Sequence, residues 1–258
     1  MRRTVVMAKH LWHLVTQPCF PNGRGDCLID APAPIQDNCF VKEFGHRLLV
    51  AVFCLAAARG AAQTPLTNVT FVAFDTETTG FSARSNRLVE IGAVKFQNGE
   101  VLSVRSWLIN PGVPIPKQVQ QVHGITDQMV ADAPPFAKIY PEFLAFIGDA
   151  VLLAHNARFD VSFMKAEAQR CGRPAPTNIV LDTLRLSRAW FPNLKSYSLG
   201  DLTKTLEIQP GTFHRGLADA QYLKGVLEVG IARHPDVTTL ERLTNLVGVL
   251  RFGAKPAR

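Results

Sequence analysis

Hydrophobic and polar positions follow no helical or strand period in the first quarter of the chain, and become sharply patterned after it. The stretch "TQPCFPNGRGDCLIDAPAPIQDNC" is rich in Pro, Gly and Asp and reads as an irregular or disordered arm. "HRLLVAVFCLAAARGAAQTP" follows, with an apolar run, Leu48 to Ala58, too short to span a bilayer as a helix. Its basic flank (His46, Arg47) and small residues around 58–62 match a secretory signal peptide, some forty residues downstream of Met1. Two readings stand side by side. Either translation begins later, at Val41, and the product is exported, or the segment is a short helix ahead of a cytoplasmic domain.

From Asn68 onward the elements are legible. Val69 to Asp75 is apolar on both faces, Phe71 and Ala73 on one, Val72 and Phe74 on the other, which predicts a buried central strand. Two β-rich runs, about 87–97 and 100–109, flank Asn98-Gly99, a strong hairpin signal. Lys117 to Gln121 is a short helix, Pro134-Pro135 opens another that runs to about Ile147, and Ala150 to Ala154 is a second buried strand. Asn156 is placed to cap a helix with Phe159 and Phe163 on its apolar stripe. A short strand at 178–181, helical segments around 182–190 and 197–206, and a long helix from about Gly216 to Ala232 complete the series. A hairpin followed by alternating helices and strands implies a mixed α/β sheet flanked by helices. The predicted organisation is an N-terminal extension (1–65), one domain (66–235) and a short tail (236–258) that holds an amphipathic helix, "LERLTNLVGVLRF".

Composition adds little. An apolar fraction of 47% supports a proper core, and a formal charge of +7 suits a polyanionic partner without establishing one. The five cysteines have no zinc-binding spacing and leave one over in any disulfide scheme, so the main domain does not depend on disulfides.

The candidate chemistry lies in the acids. Asp75 and Glu77 stand two apart at the end of the buried strand and so share a face. Neighbouring carboxylates in such a place repel, which calls for positive charge between them. Asp160, in "HNARFD", falls in the first turn of a helix after a buried strand, and Asp219 shares a helical face with Leu223 and Val226. His214, five residues before Asp219, is a candidate general base if it precedes the helix. His155 is expected to be structural. Taken singly, each feature is commonplace, Asp160 as a residue that favours its helix N-terminus and the D-x-E pair as solvated acids; their order and placement together carry the argument.

The blocks "FDTETTG", "HNARFD" and "HRGLAD" resemble the three motifs of the DEDDh exonuclease superfamily in type, order and spacing, and "VHGITD" adds a fourth typical of its branch similar to the proofreading (epsilon) subunit of bacterial DNA polymerase III. The resemblance covers about residues 68–232. It implies a ribonuclease-H-like fold with a mixed five-stranded sheet, and metal ligation by Asp75, Glu77, Asp160 and Asp219, with His214 as general base. It also implies contacts of Thr78, His123 and Phe159 with the terminal nucleotide, and gives Gln118 where some relatives carry an acid. Four oxygen ligands suit two Mg2+ or Mn2+ ions better than zinc. The implied activity is 3′–5′ hydrolysis of DNA to 5′-mononucleotides, of proofreading or repair type, on single-stranded or 3′-terminal DNA and without a membrane. Two alternatives are an exoribonuclease using the same site and a non-catalytic polymerase accessory that binds nucleic acid. The short stretch after the last helix favours a stand-alone or loosely associated nuclease over a dedicated polymerase subunit.

Overall fold

A computed structural model of the chain describes residues 63–208 and 216–253. The signal-like segment 46–62 and His214 lie outside the described residues.

The strands are β1 (Thr70–Thr78), β2 (Leu88–Gln97), β3 (Glu100–Leu108), β4 (Val151–Ala154), β5 (Ile179–Asp182) and β6 (Leu250–Arg251). The helices are α1 (Lys117–His123), α2 (Asp127–Val130), α3 (Phe136–Ile147), α4 (Arg158–Arg170), α5 (Thr183–Trp190), α6 (Leu199–Thr205), α7 (Gly216–Arg233) and α8 (Leu240–Val247). The sheet order is β3-β2-β1-β4-β5-β6. β1 pairs antiparallel with β2 and parallel with β4, so the sheet is mixed, as the hairpin followed by alternating elements requires. The hairpin turns at Asn98 and Gly99 with φ of 48° and 82°, the left-handed pair that a two-residue turn needs.

Each face of β1 is covered. Phe71 and Ala73 join Leu153, Leu181, Leu223 and Val226 on the α7 side, while Val72 and Phe74 join Phe143, Phe163 and Met164 on the side of α3 and α4. A smaller cluster of Val89, Ile115, Ile125 and Val130 seats α1 and α2.

Three details differ from the sequence reading. The five expected strands are joined by β6, which pairs antiparallel with β5. β6 comes from the segment expected as a tail, where α8 forms as the expected amphipathic helix and Leu243, Val247 and Phe252 are buried; backbone bonds from Leu66 to Thr238 and from Leu240 to Thr64 hold the start of this segment. Asn156 does not cap α4 with its side chain: it adopts a φ of 55°, one residue outside the N-cap, and its carbonyl accepts from the Phe159 amide. The tight left-handed turn between β4 and α4 takes precedence over capping there.

Candidate active site

β1 runs three residues past the expected end, so that Asp75 and Glu77 are strand residues facing the α7 side, opposite Gly92 and Glu90 of β2. α7 crosses this face with its first turn against β2 and carries Asp219. Ligand oxygens of Asp75, Glu77 and Asp219 all lie within 4.8 Å of one another. Asp160 is not within that group among the described residues. It comes from α4, on the other side of β1, and is 2% exposed. Its Oδ1 accepts from the Thr76 amide (3.1 Å) and hydroxyl (2.7 Å). The structure therefore gathers three of the four predicted acids directly and sets the fourth against the intervening residue.

The electrostatics follow from this crowding. Burial, followed by the charges of Asp160, Asp219, Glu77 and Glu90, holds the Asp75 carboxyl well above the usual range. Burial pushes Asp160 up to about 7, although both bonds from Thr76 oppose the shift. Asp219 is raised by burial and by Glu90. An all-oxygen donor set that resists ionisation is suited to a hard divalent cation, which would supply the missing positive charge.

Raised folded pKa values mean that the metal-free protein holds protons which the unfolded chain releases above pH 4. Its stability should fall as pH rises through about 7. The expected outcome is a melting temperature on the order of 10 °C lower at pH 8 than at pH 5 without metal, with the difference closing when Mn2+ is added. Calorimetry in EDTA and in Mn2+ checks it. A metal-free melting temperature that rises with pH would contradict the electrostatic picture.

The turn after the acids is tightly held. The Thr78 hydroxyl donates to the Gly80 carbonyl (2.6 Å), and buried Thr79 exchanges bonds with Arg87. Arg87 grips Glu167 of α4 through two guanidinium nitrogens (2.6 and 3.0 Å), and Arg170 bonds both Glu167 and the Ala83 carbonyl. Glu167 is 1% exposed, so this network staples the turn to the helix that carries Asp160. Phe81, at the tip, is 91% exposed. The sequence showed an aromatic after Thr-Thr-Gly, but only the structure shows its exposure.

"VHGITD" resolves into mechanical parts. Gly124 ends α1 in the left-handed region, and Thr126 caps α2 through the Met129 amide. Asp127 accepts from the Ile115 amide and the Gln120 side chain. His123 is buried and its Nδ1 accepts from the Ile125 amide at 2.9 Å, which orients the ring and places a proton on Nε2 in the neutral form. Gln118 is exposed on α1. Phe159 is half-buried and packs on Phe163, with ring centroids 4.8 Å apart. His155 is structural as expected: Nε2 bonds the Tyr197 carbonyl, Nδ1 meets the Thr183 hydroxyl, and burial lowers its pKa.

Sequence reasoning passed over Glu90 and Asp182. Asp182 caps α5 through the Leu184 amide, accepts from the Asn156 amide and helps to raise Asp160. Each is a single acid in an apolar strand, which is the one signal that could have marked it.

The RNase_T (Exonuclease) family model matches residues 72–227, more than half of the chain. The chain belongs to this exonuclease family. Curated relatives include the PolC-type DNA polymerase III of Halalkalibacterium halodurans, 41% identical over 64% of this chain and 11% of that protein. That of Caldanaerobacter subterraneus is 39% identical over 66% and 13%. This exonuclease thus spans roughly a tenth of the length of the curated relatives it matches. Among solved structures, exonuclease X in complex with 5′-overhanging duplex DNA is 28% identical over 69% of this chain and 99% of that one, with a TM-score of 0.56. Escherichia coli exonuclease I in complex with a dT13 oligonucleotide shares the fold at 20% identity, over 66% of this chain and 42% of its own, with a TM-score of 0.59. Within the described residues no helix is long and apolar enough to cross a membrane.

Proposed function

We propose that this exonuclease hydrolyses DNA from the 3′ end, releasing 5′-mononucleotides in a proofreading or repair role. The observation that carries the reading is the convergence of Asp75, Glu77 and Asp219 within 4.8 Å at the end of β1, with Asp160 buried beside them. These four acids would hold two divalent cations, Mg2+ or Mn2+. When bound, the cations lower the pKa of the attacking water and stabilise the leaving 3′-oxygen.

His214, four residues past the chain's Pro210, is assigned by sequence as the base that takes the water's proton, in its neutral form. His123, with its ring fixed and Nε2 protonated, and the backbone of the Thr78–Gly80 turn are assigned to the terminal nucleotide. Phe159 is assigned to the terminal base, and Gln118 to a polar contact from α1. Exposed Phe81 offers a stacking face for a base. Contacts to phosphate and base faces carry little sequence information, so sequence preference should be weak. DNA as substrate is supported by the DNA-bound exonuclease X relative and by the polymerase III relatives. A stand-alone or loosely polymerase-associated nuclease in the cytoplasm belongs to the same proposal.

The test uses the full-length protein and a 5′-labelled single-stranded DNA, with Mg2+ or EDTA. The expected result is a ladder shortening from the 3′ end only with metal, and slowed about a hundredfold in His214→Ala. Release of the labelled 5′ nucleotide first, or hydrolysis in EDTA, would refute the assignment. A matched RNA strand cut faster than DNA would transfer the proposal to RNA.

A further inference from the structure

Glu90 is a buried acid that the proposed chemistry does not use. It is 3% exposed, lies opposite Glu77 in the β1–β2 register, and helps to push up both Asp75 and Asp219. A further negative charge beside these carboxylates is unfavourable unless it does something else. Its two oxygens show what. Oε1 accepts from the Ser106 hydroxyl of β3 at 2.9 Å. Oε2 accepts from the Gly216 amide at 3.3 Å, across 126 residues of sequence. Gly216 is the first described residue of α7, so this bond ties the described start of the helix to β2. Asp219 follows within the same turn.

We propose that Glu90 is a positioning residue. It pins the first turn of α7 to β2, and so sets the Asp219 carboxylate at the separation from Asp75 and Glu77 that cation binding needs. This rests on reading those acids as metal ligands. Ser106 aims the Glu90 carboxylate, and Gly216 receives it. The group that supports a ligand in this way commonly governs metal affinity by about 10–100-fold.

The test measures Mn2+ affinity of the full-length protein by electron paramagnetic resonance, and hydrogen exchange at the Gly216 amide in the metal-free protein. Glu90→Ala should weaken Mn2+ binding at least about tenfold and speed exchange at Gly216. Glu90→Gln keeps an oxygen for Gly216 and can donate to the Ser106 hydroxyl, so it should stay within about threefold of wild type. In an Asp219→Asn background, which itself weakens binding, Glu90→Ala should add nothing, because its effect passes through Asp219. Unchanged affinity in Glu90→Ala would overturn the proposal. So would an equal loss in Glu90→Gln, or a full further loss in the Asp219→Asn background. Absence of Mn2+ binding by the wild type would instead remove the metal reading beneath it, which keeps the two failures distinct.

Discussion

Asp75→Asn should lower hydrolysis by about a thousandfold or more, and at the same time make the metal-free protein more stable at pH 8. The two effects have one cause. Asp75 stands at the centre of the acidic group, where burial and the charges of Asp160, Asp219, Glu77 and Glu90 all disfavour its ionised form. Without a cation the carboxylate is held at a loss, and an amide of the same shape removes that repulsion. On the proposed reading a bound cation would take the same carboxylate as a ligand, and its removal should take several kcal/mol of transition-state stabilisation with it. A rise of a few degrees in melting temperature, set beside lost turnover, is the signature of a site whose geometry serves chemistry over stability. The measurements are single-turnover hydrolysis in Mg2+ and calorimetry in EDTA. Wild-type turnover would remove Asp75 from the site; inactivity with reduced stability would make its role structural.

Gly92→Ala should be the most damaging change that leaves every acid in place. Gly92 lies opposite Asp75, and a methyl group there would overlap the Gly216 carbonyl and the Leu217 amide nitrogen. All of these are backbone atoms, so no side chain can swing away. The start of α7 would have to lift from β2, stretching the Glu90–Gly216 bond and withdrawing Asp219. The expected loss is about 3 kcal/mol of stability, and about a hundredfold in activity from a displacement on the order of 1 Å. Denaturant unfolding and turnover under conditions where the variant remains folded check both. A variant with wild-type stability would show that α7 is not packed against β2 as described.

The acids illustrate how far the sequence reading reached. Asp75 and Glu77 were legible because the period of a strand puts alternate residues on one face, and because the apolar run before them announced burial. Their position inside the strand, rather than at its end, was not legible, because pairing of Glu77 with Glu90 extends β1 past its apolar segment. Asp160 was found, but its approach from the α4 side and its anchoring to Thr76 depend on how two layers meet across β1.

What the sequence by itself determined is therefore the local part of this exonuclease: the two-faced strand β1, the Asn98-Gly99 hairpin, the helices with apolar stripes, and the identity and order of the acids. Each follows from backbone period, turn geometry or the unfavourable burial of charge, which a short window of residues already expresses. Only the tertiary structure decided that Glu90 and Gly92 meet the start of α7, that Asp75, Glu77 and Asp219 share one space, and that the C-terminal segment closes the sheet edge with β6. Those relations join residues far apart in the chain, and their register is set by side-chain packing between layers, a property that no single segment carries.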